Sequence, residues 1–266
     1  MNSGVVPISD LNLILSVILV LIVGAISASL KLGMLKSLIW GSIRTFVQLF
    51  IMGYALVWIF SVDSPILVAG LVILMCFIAS RTAVKRTPNI SNFPAVLAFI
   101  SLTASTYLVT FFVTFAVISA DRWYTARIVI PIAGMVLGNS MNGLSLGIDR
   151  LYSEVRSRSW EIETQLALGA TPWEAVRSHL KEALRAGMTP SINSLMVVGI
   201  VTLPGMMTGQ ILAGADPHQA VRYQIVVMLM VTAAAAAGCL LLVMLSYKRL
   251  FDKEGALRQE LKGSGK

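Results

Sequence analysis

Charge is what this sequence has least of. Asp, Glu, Lys and Arg together make up 13% of the 266 residues, against 56% hydrophobic residues, whereas about a quarter of a soluble domain is charged. The mean hydropathy of +0.80 excludes a water-soluble globular protein and implies an all-α polytopic membrane protein. Cysteine is nearly absent: Cys76 and Cys239 both lie inside apolar runs, which excludes a disulfide framework and a CxxC zinc or redox centre. With only His179 and His218 beside them, zinc-hydrolase chemistry lacks a ligand set. A G-x-x-x-x-G-K-[ST] segment is also missing, and the terminal Gly263-Ser-Gly-Lys266 has no strand or helix context, so no nucleotide or other cofactor is expected on this chain. Acid is scarcer than base, 13 residues against 21 for a net charge of +8. In a membrane protein that excess asks which side the cations occupy.

What is present is a series of apolar runs, each near the roughly 20 residues that cross a bilayer. They are Leu11 to Leu30, Leu38 to Phe60 interrupted by Arg44, Pro65 to Ser80, Phe93 to Ile118, Ile128 to Ile148, Leu195 to Gly214 and Tyr223 to Tyr247. Seven spans are predicted. Alternate connections carry seventeen Lys and Arg on one side and three on the other, which places the amino terminus outside and the carboxyl terminus in the cytoplasm. An odd number of spans requires the same split. The first run resembles a signal-peptide core, but only Asp10 is near it and no basic residue precedes it, so a retained anchor is expected. Lys31 to Arg44 reads either as part of the second span or as an interfacial helix leading into it. Residues 1–250 form one membrane domain with a loop at 149–190, followed by a basic cytoplasmic tail, 251–266.

That loop has helical patterning of its own. Arg150 to Leu168 continues the fifth span, and Gly169 supplies a stop. Thr171, Pro172 and Glu174 then have the spacing of a capping box with proline at the first helical position. A short amphipathic helix is expected from Pro172, with Trp173, Val176 and Leu180 on one face and Glu174, Arg177, Lys181 and Arg185 on another. It would lie at the membrane surface or against a protein, with His179 on its surface.

Within the spans, Gly134, Gly138, Gly143 and Gly147 have the spacing of close helix packing. Asn139 and Asn142 carry amides that need partners in hydrocarbon, so they are expected to face the protein interior or a wet cavity. Pro204 and Gly205 in Leu203-Pro-Gly-Met-Met-Thr-Gly-Gln210 predict a kinked or broken helix of the kind that lines a cavity. Met206 and Met207 are weak candidates for metal ligation and stronger ones for packing. Arg44 and Gln48 share one face of the second span, where Arg44 is within snorkelling reach of the cytoplasmic surface. These residues, with Gln210, are the candidates for a translocation path.

The string Glu163-Thr-Gln-Leu-Ala-Leu-Gly169-Ala-Thr-Pro-Trp-Glu174 resembles the cytoplasmic loop of ABC-transporter permeases, whose coupling helix sits in a cleft of the ATPase subunit. Glu163 and Gly169 match, Thr164 and Gln165 replace two alanines, and Leu180-Lys181 stands where importers have Leu-Pro. The resemblance implies coupling roles for Glu163, Gly169, Thr171, Pro172, Trp173 and Glu174, with Trp173 as the aromatic anchor. Together with Arg44-Thr-Phe-Val-Gln-Leu49, the Pro131 to Asn142 string and Leu203 to Gly209, it is similar to the FetB-type iron-export permease family, which includes plant permeases linked to aluminium tolerance. The resemblance implies a permease of the bacterial inner membrane, without enzymatic activity of its own, that exports iron or a related small substrate and pairs with a separate ATPase that uses ATP. Two copies are expected from the paired ATPase sites. An ion-gradient-driven carrier would need an intramembrane ionisable relay, and Arg44 alone offers one. A scaffold that recruits a soluble partner through the same loop is the third reading.

Overall fold

The structure, a computed structural model, describes residues 9–62, 64–85, 94–117 and 124–261. Phe93, Ile118, the connection cations Arg86 and Arg122, and Gly263 to Lys266 lie outside the described residues. Among the described residues ten α-helices follow in order, α1 Asp10–Leu15, α2 Val17–Ser29, α3 Leu35–Val62, α4 Pro65–Lys85, α5 Pro94–Phe112, α6 Ala126–Ser157, α7 Ser159–Ala167, α8 Pro172–Val197, α9 Gly205–Leu212 and α10 Pro217–Leu250, with a π-helical turn at Val113–Val117 and a 3-10 turn at Gln259–Leu261. Lys31 to Arg44 is not a separate interfacial element, since α3 runs unbroken from Leu35.

Among the described residues, six helical segments are long and apolar enough to cross a membrane: α1 with α2, then α3, α4, α5, α6 and α10. The seventh run, Leu195 to Gly214, is not one helix. Gly199 takes a φ of +83°, a conformation open to glycine at no steric cost, and Leu203 precedes a proline, which disfavours helical backbone there. The chain therefore breaks over 198–204 and restarts as α9 behind Pro204. Hydropathy counts such a stretch as a span because it weighs side chains and not backbone continuity.

Pair contacts fix the helix directions. Glu154 meets His179 and Gly143 meets Gly187, so α6 and α8 are antiparallel. Leu144 meets Gly238 and Gly147 meets Cys239, so α6 and α10 are parallel. The chain must return across the layer between α6 and α10, and α8 with α9 supplies that return. Charged residues in the first half of α8 set it apart from the six apolar helices.

The core is a continuous cluster along α6, whose buried Ala126, Ile130, Ala133, Leu137, Leu144, Ile148, Leu151 and Val155 recur at helical spacing. Helices α4, α5, α8 and α10 pack around it. Tyr107 donates to the Ala69 carbonyl at 2.6 Å and ties α5 to α4. In contrast, α2 and α3 pack mainly on each other, and α3 joins the core only near its end, where Ile59 is buried and Arg127 lies over the Phe60 ring. Beyond α10 the chain folds back: Arg258 N–H donates to Leu250 O at 3.0 Å, and Phe251, Leu257 and Leu261 join the same core. The first part of the basic tail is thus a packed hook.

Candidate functional site

Two regions carry the candidate residues, and α8 connects them. The first is the elbow between α7 and α8. The Ala170 N–H bonds to Gln165 O and the Gly169 N–H to Leu166 O, both at 3.0 Å, while Gly169 has φ +96°. This is a Schellman ending, which uses the left-handed backbone that glycine adopts freely. Two residues later the expected capping box is complete: Glu174 N–H bonds to Thr171 Oγ1 at 3.3 Å, and Thr171 N–H returns to Glu174 Oε2 at 2.8 Å. Hydrogen bonds from the Thr171 hydroxyl and N–H hold the Glu174 carboxyl below the usual carboxylate range. The two motifs make the turn between α7 and α8 rigid.

The helix beginning at Pro172 is not short. It runs 26 residues to Val197 through Pro190, about 39 Å at 1.5 Å per residue. Val176 and Leu180 are buried as the amphipathic pattern requires, and so is His179, 4% exposed, contrary to its expected surface position. His179 Nδ1 lies 3.5 Å from Glu154 Oε2, and the same carboxylate accepts from Arg150 at 2.8 Å and faces Arg158 at 3.3 Å. A buried carboxylate with several donors costs far less than an isolated one, so this cluster fixes the end of α6 against α8. A histidine on the inward face of an amphipathic helix and a Glu four residues after an Arg were the available signals.

Trp173 turns toward its own chain. Its ring meets Tyr247 edge-on at 5.4 Å between centroids, and Tyr247 meets Phe251 at 6.0 Å. Trp173 remains 38% exposed, while Leu168 at the elbow is 83% exposed and Trp160, at the far end of α7, is 73% exposed. Neither was singled out as a coupling residue. Glu163 is half-buried on α7.

The second region lies at the other end of α8. A cavity of about 390 Å³ is bounded by the break, α9 and α10; its lining includes Val198, Gly199, Pro204, Met207, Gln224 and Met228. Of the expected path residues it gathers Pro204 alone, and of the two methionines Met207. Gly205, Met206 and Gln210 belong to α9 without lining it, and the Gln210 Oε1 is buried with no hydrogen-bond partner. Asn139 and Asn142 are exposed rather than interior; Asn139 Nδ2 donates to Met135 O at 2.9 Å, a local bond that satisfies the amide without a cavity. Arg44 and Gln48 are exposed on α3, outside this cavity. Gln224 was not anticipated, since it lies in the apolar α10 and no motif surrounds it. Among the described residues, no three His, Cys, Asp or Glu side chains come together as a metal site.

The sequence profile of the Uncharacterised protein family (UPF0014) matches residues 10–251. The UPF0014 membrane protein YjkA of Bacillus subtilis is 42% identical to this chain, covering 94% of it and 98% of the relative. The probable iron export permease protein FetB of Escherichia coli is 34% identical, covering 94% and 95%. The protein ALUMINUM SENSITIVE 3 of Arabidopsis thaliana is 33% identical, covering 80% and 77%. No solved structure matches significantly.

Proposed function

This chain belongs to the uncharacterised protein family UPF0014, it is a multi-pass membrane permease, and on that basis we propose that it is the membrane subunit of an ABC transporter driven by a separate ATPase. The observation that carries the reading is α8, one continuous helix with a rigidly capped elbow at one end and the broken segment and cavity at the other. An ATPase that grips α7 and the elbow, through Trp160 and Leu168, moves a single lever. Rigid-body motion of a helix between discrete packings is an established way to carry a signal across a fold.

The lever has a fulcrum. Gly187 of α8 packs against Gly143 and Gly147 of α6, about 22 Å from Pro172 and about 15 Å from Val197 at 1.5 Å per residue. Tilting at this crossing transmits motion at the elbow to the break. The excess of Lys and Arg on the elbow side supports a cytoplasmic elbow and carboxyl terminus, with the amino terminus outside. Two copies of the chain would present two elbows to the paired ATPase sites. The chain itself contributes no nucleotide chemistry in this scheme.

The substrate proposed is iron or a related small substrate, moved outward, a reading supported by the similarity to the probable iron export permease of Escherichia coli. The direct test is uptake into inverted membrane vesicles containing this chain and its ATPase, comparing iron salts, neutral iron chelates and other metals. ATP-dependent accumulation that disappears without the ATPase supports the reading; accumulation that follows an ion gradient without ATP overturns it.

A further inference from the structure

Helix α3 is attached to the core at one end only. Of its 28 residues Ile59 alone is buried. Beside it Ala55, Leu56 and Phe60 pack on the core, and the Arg127 guanidinium of α6 lies 5.8 Å from the centre of the Phe60 ring. The stripe that makes this attachment, Ile59, Ala55 and Met52, continues at helical spacing to Gln48. Gln48 is exposed, and so is Arg44 one turn further on. Phe46, Phe50, Gly53 and Val57 line the groove with α1 on the opposite side of the helix, so Gln48 and Arg44 face away from the helices that α3 packs with.

Lipid does not suit these groups. Gln48 lies ten residues beyond Leu38, where the apolar run begins, which is about 15 Å into a hydrocarbon core of about 30 Å. Arg44 is shallow enough to reach the surface, whereas an amide at the bilayer centre needs a polar partner. On α6, Asn139 and Asn142 are exposed along the outward face. Asn139 gives one Nδ2 hydrogen to Met135 O, and a carboxamide has a second hydrogen and a carbonyl oxygen besides.

The contact of Phe60 with Arg127 gives the two helices a common origin. Away from it the chain runs backward along α3 and forward along α6. Gln48 is twelve residues from Phe60 and Asn139 is twelve from Arg127, about 18 Å in each case. Arg44 is sixteen residues from Phe60 and Asn142 fifteen from Arg127, about 24 Å and about 22 Å. The chemistry matches as the levels do: two carboxamides pair through reciprocal hydrogen bonds, and Arg44, a donor only, suits the Asn142 carbonyl. Asp149 is exposed two turns further along the same face of α6, and it places a carboxylate on the side toward which Arg44 reaches.

We infer that α3 is a gate that closes on α6, turning about the contact of Phe60 with Arg127 and bringing Gln48 to Asn139 and Arg44 to Asn142. Helix α2 packs mainly on α3 and travels with it, so the motion is that of a helical hairpin hinged at one end. The fixed end is remote from the elbow, because Arg127 is at the start of α6 and the elbow follows its end. The gate therefore opens on the elbow side. That it admits or retains cargo rests on the transporter reading, while the closure rests only on the spans.

The test is a disulfide. The full chain with Gln48→Cys and Asn139→Cys, in lipid nanodiscs, is oxidised with copper phenanthroline, and linked peptides are identified by mass spectrometry. Cys76 and Cys239 are kept, since both are buried, and both replaced side chains are exposed, so the fold is retained. The link should form within one chain, at least about tenfold faster than in Gln48→Cys with Leu146→Cys, whose second site is exposed on the same face of α6 but about 10 Å out of register. In inverted vesicles with the ATPase, the linked chain should lose transport and regain it on reduction. Absence of the link, or equal rates for the two pairs, overturns the gate and leaves the transporter reading standing. Co-expressed chains that carry one substitution each, distinguished by tags, should give no mixed disulfide dimer; a mixed dimer in place of the intrachain link assigns this face of α6 to a second copy and also overturns the gate. Transport undiminished by the link does the same. An intrachain link in a protein that shows no ATP-driven transport before oxidation retains the closure and overturns only the transporter reading.

Discussion

Gly187 and Gly143 bring the backbones of α8 and α6 into direct contact. A Cβ added to Gly187 would lie 2.8 Å from the Gly143 carbonyl oxygen and 2.5 Å from Cys239 Sγ. Small residues at such a crossing are a main source of helix association in lipid, and here three helices converge on one of them. Gly187→Ala should gain about 1 kcal/mol of helix propensity and lose about 3 kcal/mol to overpacking against groups that include backbone, a net loss of about 2 kcal/mol. Gly187→Val should prevent native packing altogether. Gly138→Ala, with nothing within 4 Å of the added carbon, is the matched control and should be neutral or slightly stabilising. Cys76 and Cys239 are both buried, so thermal unfolding read by a thiol-reactive dye distinguishes these outcomes without added labels.

The capping box at the start of α8 predicts a pH dependence whose sign is fixed. Glu174 has its carboxyl held below the usual range by Thr171, so the folded elbow binds its proton less readily than the unfolded chain. The stabilisation is present above the ordinary carboxylate range and is lost as pH falls through the lowered folded value. Thr171→Ala should cost about 1 kcal/mol, as loss of a helix cap does, and should reduce this part of the acid dependence, the share of the backbone N–H remaining. Melting curves of both proteins across the acid range check the difference.

The elbow was legible because its signals are local: Gly169 as a stop and Thr171-Pro-Trp-Glu174 as a start depend on neighbours within four residues. The break over 198–204 was half legible. Pro204 and Gly205 announced an interruption, while the positive φ of Gly199, which bends the chain before them, looks like any glycine in an apolar run. Gln224 and the hook of Phe251, Leu257 and Leu261 were not legible. Their burial is decided by contacts between segments far apart in sequence, and a charged tail or a lone amide in an apolar helix carries no periodic signal of it.

Glu154 is the residue on which Arg150, Arg158 and His179 converge. The two arginine side chains are 52% and 56% exposed, so each ion pair contributes under about 1 kcal/mol. His179 is different, because it is buried. Glu154→Ala should therefore destabilise the protein by about 2 kcal/mol, mostly through the polar group left behind, whereas Arg150→Ala should cost under about 1 kcal/mol. Comparing the two melting temperatures, with Glu154→Gln as the variant that keeps the shape and loses the charge, separates ion pairing from packing.

Leu168 and Trp173, both on the elbow, should fail in different ways. Leu168 is 83% exposed, and Trp173 lies 5.4 Å from the Tyr247 ring. Trp173→Ala removes an edge-to-face aromatic pair together with partly buried surface, so it should cost about 1–2 kcal/mol of stability and loosen the seat of the hook. Leu168→Glu touches nothing that supports the fold and should leave the melting temperature unchanged. If the elbow docks an ATPase, a charge at an apolar contact of this kind should weaken the complex by about 30-fold, the equivalent of about 2 kcal/mol at an interface hot spot. ATP-dependent transport should fall with it. Co-purification of the ATPase with each variant is the measurement. Retention of full complex by Leu168→Glu and its loss only in Trp173→Ala would mean that the elbow is held from within and that the partner grips elsewhere.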